Sequence, residues 1–395
     1  MQTAKNYFII LLSIIIFNSC TNSSQKGTFG HDLEFLKKYK NTIVLKNNNG
    51  QCQVAIVPDF QGRVMTSSSR GLEGKSYGWV NYDLISSGNF TDHINVFGGE
   101  DRFWLGPEGG QYSIFFEKGD EFTMENWNTP KPIDTEPFRM IINTDSNAVF
   151  TKKMTLINYS GFEFNIEVKR KLSILNKITV EKNLNIDLND QISYLGFQSE
   201  NIMKNIGESD WTKGDGLLSI WILGMFIPSK STIVIIPYID SLALNTSYFG
   251  EIGSDRLSVV GNVVLFKGDG QYRCKIGVPP KNVTPFFGSY DAENEILTIV
   301  EYTYQGDTSY VNSLWKHQEN PYGGDVINSY NDGPSESGGI LGPFYELESS
   351  SSAKELRKKE SIMHTHKTYH FEGAIKDLNP IAKKVLGVDL KKVSM

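Results

Sequence analysis

Phe162-Glu163-Phe164-Asn165-Ile166-Glu167-Val168-Lys169-Arg170-Lys171-Leu172-Ser173-Ile174 alternates apolar and polar side chains. Phe164, Ile166, Val168, Leu172 and Ile174 take even positions, and Glu163, Asn165, Glu167 and Lys169 take odd ones. Successive side chains on a strand point to opposite faces, so this stretch reads as a strand with one dry and one wet face. After a turn near Asn176, Ile178, Val180, Leu184, Ile186 and Leu188 continue on even positions, which predicts a long antiparallel hairpin. Further strand-like runs lie at 42–46, 52–57, 63–67, 112–117, 138–143, 148–157, 192–198, 217–226, 232–238, 257–267, 272–278 and 296–304. Helical signals are confined to 31–39 and to 377–386, where Pro380 sits in the first turn and Gly387 just past the end. Many strands joined by Gly, Asn and Asp turns predict an all-β fold built as a large antiparallel sandwich. The composition agrees: 23 Phe, 18 Tyr and 6 Trp suit pleated, half-buried surfaces.

The chain has 395 residues and a net charge of −6 without a basic block, which excludes a nucleic-acid partner. Lys5 followed by the apolar run 7–17 has the length of a secretory leader and is too short for an ordinary membrane-spanning helix. It ends at Phe17-Asn18-Ser19-Cys20, which resembles a bacterial lipobox. The expectation is a signal peptide over 1–19, lipid on Cys20, a polar tether over 20–30 and one folded domain over 31–390. Cys52 and Cys274 either pair or stay buried as free thiols. The Gly/Ser/Asn-rich stretch 320–339 reads as a long functional loop or a disordered one.

Two segments carry chemistry. Gly342-Pro343-Phe344-Tyr345-Glu346-Leu347-Glu348-Ser349 and Ile362-Met363-His364-Thr365-His366-Lys367-Thr368-Tyr369-His370-Phe371 both read as strands. Glu346 and Glu348 share one face of the first, and His364, His366 and His370 one face of the second. Were the strands neighbours, carboxylates and imidazoles would converge on one hollow. Neighbouring carboxylates push one pKa up, leaving one of them an acid. His364 and His366 invite three readings: ligands of an ion with Glu346 or Glu348, sugar-site hydrogen bonders, or plain surface. We assign no metal and no cofactor. In the other segment, Phe97-Gly98-Gly99-Glu100-Asp101-Arg102-Phe103-Trp104-Leu105-Gly106-Pro107-Glu108, Arg102 can orient oxygens, Trp104 can stack on a pyranose and Glu108 can accept from hydroxyls. The segment containing Trp315 and His317 could form a rim over a pocket.

The order of these segments resembles the galactose mutarotase-like superfamily, which includes aldose 1-epimerases. Leu347-Glu348-Ser349 looks like the segment bearing that family's catalytic base. Gly98-Gly99 through Trp104 looks like its Gly-Gly, Arg and Trp segment, and Gln61-Gly62-Arg63 like its early turn. The resemblance runs from about Thr42 to Phe371 and implies a β-supersandwich with a sugar site on a concave face. Phe97 stands where epimerases carry a His before the glycine pair, and 184–201 contains no His where the family keeps its general acid.

The expectation is therefore a monomeric, lipid-anchored protein of a bacterial cell envelope, facing the periplasm or on the cell surface, that acts on or binds a saccharide. Glu348, Glu346 and His366 would be catalytic. Arg63, Arg102, Trp104, Glu108, His93, His317 and His364 would hold the ligand. The alternatives are a glycan binder without turnover and a structural envelope lipoprotein.

Overall fold

The computed structural model describes residues 24–249, 251–334 and 339–394. The expected leader and Cys20 lie outside them. In chain order the strands are β1 (Ile43–Lys46), β2 (Gln53–Val57), β3 (Arg63–Ser68), β4 (Arg102–Gly106), β5 (Arg139–Asn143), β6 (Asn147–Ile157), β7 (Glu163–Leu175), β8 (Ser193–Asn205) and β9 (Ser219–Phe226). They continue as β10 (Thr232–Pro237), β11 (Leu257–Val260), β12 (Val263–Lys267), β13 (Cys274–Val278), β14 (Phe286–Asp291), β15 (Ile296–Tyr302), β16 (Ile327–Asn331), β17 (Tyr345–Ser350) and β18 (Ser361–Glu372). The α-helices are α1 (Phe29–Tyr39), α2 (Tyr82–Ser87), α3 (Lys131–Asp134), α4 (Lys177–Leu184) and α5 (Ile375–Val385).

A ten-stranded antiparallel sheet runs β11-β12-β10-β14-β15-β18-β8-β7-β6-β5. It packs against a five-stranded sheet ordered β13-β16-β17-β9-β4. Phe103 and Leu105 of β4 and Ile220 and Ile222 of β9 meet Phe164, Ile166 and Val168 of β7 in one apolar layer. Leu347 of β17 and Ile276 of β13 meet Val234 and Phe266 of the larger sheet in another. A three-stranded sheet, β1-β2-β3, adjoins β4 through a bridge between Val64 and Asp101. The fold is thus an antiparallel β-sandwich with few, short helices. Cys52 and Cys274 sit in different apolar layers as free thiols, and burial pushes their pKa values up to about 12 and about 11.

The alternation over 163–175 is strand β7, but its partners are β6 and β8 rather than residues 178–188. Those form α4 and the turn after it. The Asn176 side chain accepts from Thr179 N at 2.9 Å and caps the helix. Val180, Leu184 and Leu188 are spaced by four, the helical repeat, and are buried, whereas Ile178 is 76% exposed. Residues 112–117 form turns and bends, with Ile114, Phe115 and Phe116 in the core. The run 257–267 divides at Gly261 into β11 and β12. Residues 102–106 are strand β4, which the strand-like runs did not include, and the stretch 320–339, read as a loop, contains β16. Helix α1 begins at Phe29, inside the expected tether, and buries Phe29, Leu33 and Leu36.

Candidate functional site

The site lies on the face of the five-stranded sheet turned away from the ten-stranded one. Residues directly opposite one another on antiparallel strands share a face. Lys275 of β13 faces Tyr330 of β16, Tyr330 faces Glu346 of β17, and Glu346 faces Met225 of β9. One step along, Asn328, Glu348, Leu223 and Arg102 form the next row. Ser350, Trp221 and Trp104 form the third. Loops contribute Ile94, Val96, Met124, Trp127, Tyr248, Phe249, Trp315 and Phe344, closing a cavity of about 420 Å³ over this floor. That size and its aromatic lining suit a small-molecule site.

The floor holds a cluster of charges. Lys275 Nζ donates to Glu348 Oε2 at 3.0 Å, and Trp221 Nε1 donates to the same oxygen at 2.9 Å. The Lys275 ammonium also lies 4.8 Å from the centre of the Trp221 ring. Glu348 is fully covered, whereas Glu346 and Glu108 line the cavity. Arg102 stacks its guanidinium 4.0 Å from the centre of the Trp104 ring and faces Glu346 Oε1 at 3.6 Å, longer than a hydrogen bond. Trp315 Nε1 donates to Glu108 Oε1 at 3.2 Å.

Burial, and after it the neighbouring Glu348 charge, push the Glu346 carboxyl up to about 8, against the opposing pull of Arg102 and Lys275. Burial also raises Glu108, only partly offset by Lys275 and the Trp315 hydrogen bond. Burial pulls Lys275 down, but Glu348, Glu108 and Glu346 outweigh it, and the net shift is upward. Burial lowers Arg102, with Glu346 the largest opposing charge. Near neutral pH the cavity therefore presents a protonated carboxyl, Glu346, beside a guanidinium.

The turn that launches β4 explains how Arg102 reaches this floor. Gly98 and Gly99 take φ of 92° and 110°. A Cβ on Gly98 would fall 2.1 Å from the Trp79 carbonyl oxygen, so glycine is required for the approach. Arg63 is buried behind this turn, outside the cavity. Its Nη1 donates to Gly98 O and its Nη2 to Gln61 Oε1, both at 3.0 Å. It braces the turn and does not line the cavity.

The histidines lie elsewhere. His364, His366 and His370 are fully buried on the face of β18 that meets the five-stranded sheet. The Ser349 hydroxyl bonds both His364 Nε2 and His366 Nδ1 at 2.8 Å. Ser349 alternates with Glu348 along β17, so the imidazoles and the two carboxylates occupy opposite sides of that strand. The expected convergence does not occur, and neither His366 nor His364 reaches the cavity. The metal-ligand, sugar-site and plain-surface readings of His364 and His366 all give way to a hydrogen-bonded layer inside the sandwich. Burial lowers His364 to about 3 and His366 to about 4, so both are neutral there. His370 Nε2 bonds Glu100 Oε2 at 2.8 Å. His93 donates from Nδ1 to the Trp127 carbonyl at 2.7 Å, which fixes a cavity wall without lining it. His317 is exposed, with its ring edge-on to Phe122 and Tyr159.

Sequence reasoning missed Lys275, Trp221, Trp127, Tyr248 and Arg273. The alternation of β13 could have placed Lys275 opposite buried Cys274 and Ile276. Nothing local marks Trp127 or Tyr248, because loops bring them in.

An antiparallel β-sandwich with an aromatic, charge-floored cavity on its smaller sheet defines the class. The chain belongs to the family of unknown function DUF6786, whose model matches residues 27–395. Solved structures of similar architecture include the Slr1438 protein from Synechocystis sp. PCC 6803, at 12% identity and a TM-score of 0.49 over 85% of this chain and 96% of that one. A galactose mutarotase-like protein from Lactobacillus casei ATCC 334 is similar at 11% identity and a TM-score of 0.49, over 84% of this chain and 100% of its own. A GalM/aldose epimerase homologue from C. elegans is similar at 9% identity and a TM-score of 0.44, over 85% and 100%. None of these likenesses transfers a substrate or a mechanism to this chain. Comparison with curated protein sequences gives no match.

Proposed function

We propose that this protein binds a saccharide in the cavity and acts on it by proton transfer, with Glu346 as the acid. The observation that carries the reading is Glu346 itself. It is a carboxyl held near pKa 8 on the cavity floor, beside Arg102 and among four tryptophans, Trp104, Trp127, Trp221 and Trp315. Tryptophan faces suit the C–H side of a pyranose, and a carboxylic acid that stays protonated at neutral pH can give its proton to a sugar oxygen. Glu108, the other carboxyl on the cavity surface among the described residues, is the candidate acceptor. Glu348, sealed beneath Lys275 and Trp221, acts on Glu346 through its charge rather than on the ligand.

A second reading, binding without turnover, is favoured by that sealing of Glu348 and by the lack of any histidine among the cavity-lining residues. A saccharide panel read by thermal shift tests binding, since a ligand of the native state raises apparent stability. NMR of anomer exchange and product formation then separates the two readings. Under the first, Glu346→Gln lowers turnover by about 10²–10⁴-fold, the usual worth of a general acid. Full turnover in that variant would remove Glu346 from the mechanism.

Attachment to a bacterial envelope membrane through lipid on Cys20 is part of the proposal, supported by the Phe17-Asn18-Ser19-Cys20 pattern. Cys20→Ser is expected to move the protein from the membrane fraction to the soluble one.

A further inference from the structure

Four cationic side chains, Arg102, Arg273, Lys275 and Lys316, line the cavity of a chain whose net charge is −6. Two of them are matched from below. Lys275 is paired with Glu348 at 3.0 Å, and Arg273 with Asp332 at 3.3 Å. Asp332 is held in turn by the Tyr330 hydroxyl and by the backbone N–H groups of Leu341 and Gly342. Lys316 stands exposed at the mouth. Arg102 is the exception on the floor. It is 2% exposed, and its Nε and Nη1 have no hydrogen-bond partner among the described residues. Its carboxyl neighbour, Glu346, stands at 3.6 Å and is the group held near pKa 8, so at neutral pH it supplies little counter-charge. Glu108, the remaining carboxyl on the wall among the described residues, has Oε1 engaged by Trp315.

A buried guanidinium with two N–H groups unbonded and its nearest carboxyl at 3.6 Å is costly, and its natural complement is an oxyanion. Trp104 holds one face of the guanidinium at 4.0 Å, which fixes its plane and leaves its edges for the ligand. Lys316 at the mouth, with a low-dielectric wall of aromatics behind it, favours entry of negative charge. Resting on the saccharide reading, we propose that the ligand is an acidic sugar, carrying a carboxylate, sulfate or phosphate that pairs with Arg102.

Calorimetry on the full-length protein, with neutral hexoses matched to their uronates, 6-sulfates and 6-phosphates, tests this. At least one acidic member is expected to bind tenfold or more tightly than its neutral parent, and which acid wins identifies the anion. The preference is expected to narrow in high salt, which screens the long-range part. Arg102→Gln should abolish it. Lys316→Gln, at an exposed position, should reduce it. Neutral sugars binding as tightly as their acids, or a preference that survives Arg102→Gln, would overturn the acidic-sugar inference and leave the saccharide reading standing. Failure of every sugar to bind would overturn both.

Discussion

Glu346 is a carboxyl the fold prefers protonated, and that preference has a signed consequence for stability. Its folded-state pKa is about 8 against an ordinary 4.5, so between those values the native state keeps a proton the unfolded state has lost. Stability therefore falls as pH rises through that window, by up to about 1.4 kcal/mol per pH unit from this group. Glu346→Gln removes the titration. Its denaturation midpoint is expected to fall less than that of the parent between pH 5 and pH 8, and parallel midpoints would contradict the assignment. His364 and His366 have the opposite sign. His366 is held at about 4 and His364 at about 3 against 6.5, so acid protonates them first in the unfolded chain. Their contribution is complete above about 6.5 and is lost as pH falls toward 4. A His366→Gln variant is expected to show a shallower loss of stability in urea titrations between pH 6.5 and pH 4.

At the scale of elements, the Gly98-Gly99 turn determines where β4 starts and so where Arg102 and Trp104 point. Gly98→Ala would place a non-glycine residue at φ 92° with its Cβ against a backbone oxygen. The backbone conformation alone costs roughly 1–2 kcal/mol, and the clash adds to it. A loss of more than about 2 kcal/mol in chemical denaturation is expected, with weaker ligand binding as Arg102 shifts. What the sequence revealed of the elements follows the same local physics. Strand β7 was legible because one of its faces is wet and its alternation is nearly unbroken. Residues 178–188 were misread because Val180, Leu184 and Leu188 sit on even numbers and also four apart, so one pattern fits two periods. Strand β16 was hidden because Asn328, Ser329 and Asn331 are polar yet buried in hydrogen-bonded surroundings. The shared face of Glu346 and Glu348 was readable from strand periodicity. That His364 and His366 lie behind the same strand was not, because it depends on which sheet β18 joins.

For the molecule as a whole, the cavity is made by both the smaller sheet and the loops around it, so an occupant should be felt globally. Four of the six tryptophans line it: Trp104, Trp127, Trp221 and Trp315. Trp211 packs instead against Phe164, inside the sandwich. A saccharide stacked in the cavity is therefore expected to change intrinsic fluorescence, and Trp211→Phe should leave that change intact. Trp127→Phe or Trp315→Phe should diminish it, since Trp127 and Trp315 stack on each other at 5.8 Å on the cavity wall. The same titration predicts a stability gain. At a ligand concentration a hundred times its Kd, the native state gains about 2.7 kcal/mol, read as a rise in the thermal midpoint. The two signals must saturate together, because one cavity produces both. A fluorescence change without a thermal shift would mean no selective binding to the native state, and one removed by Trp211→Phe would place the ligand outside the cavity.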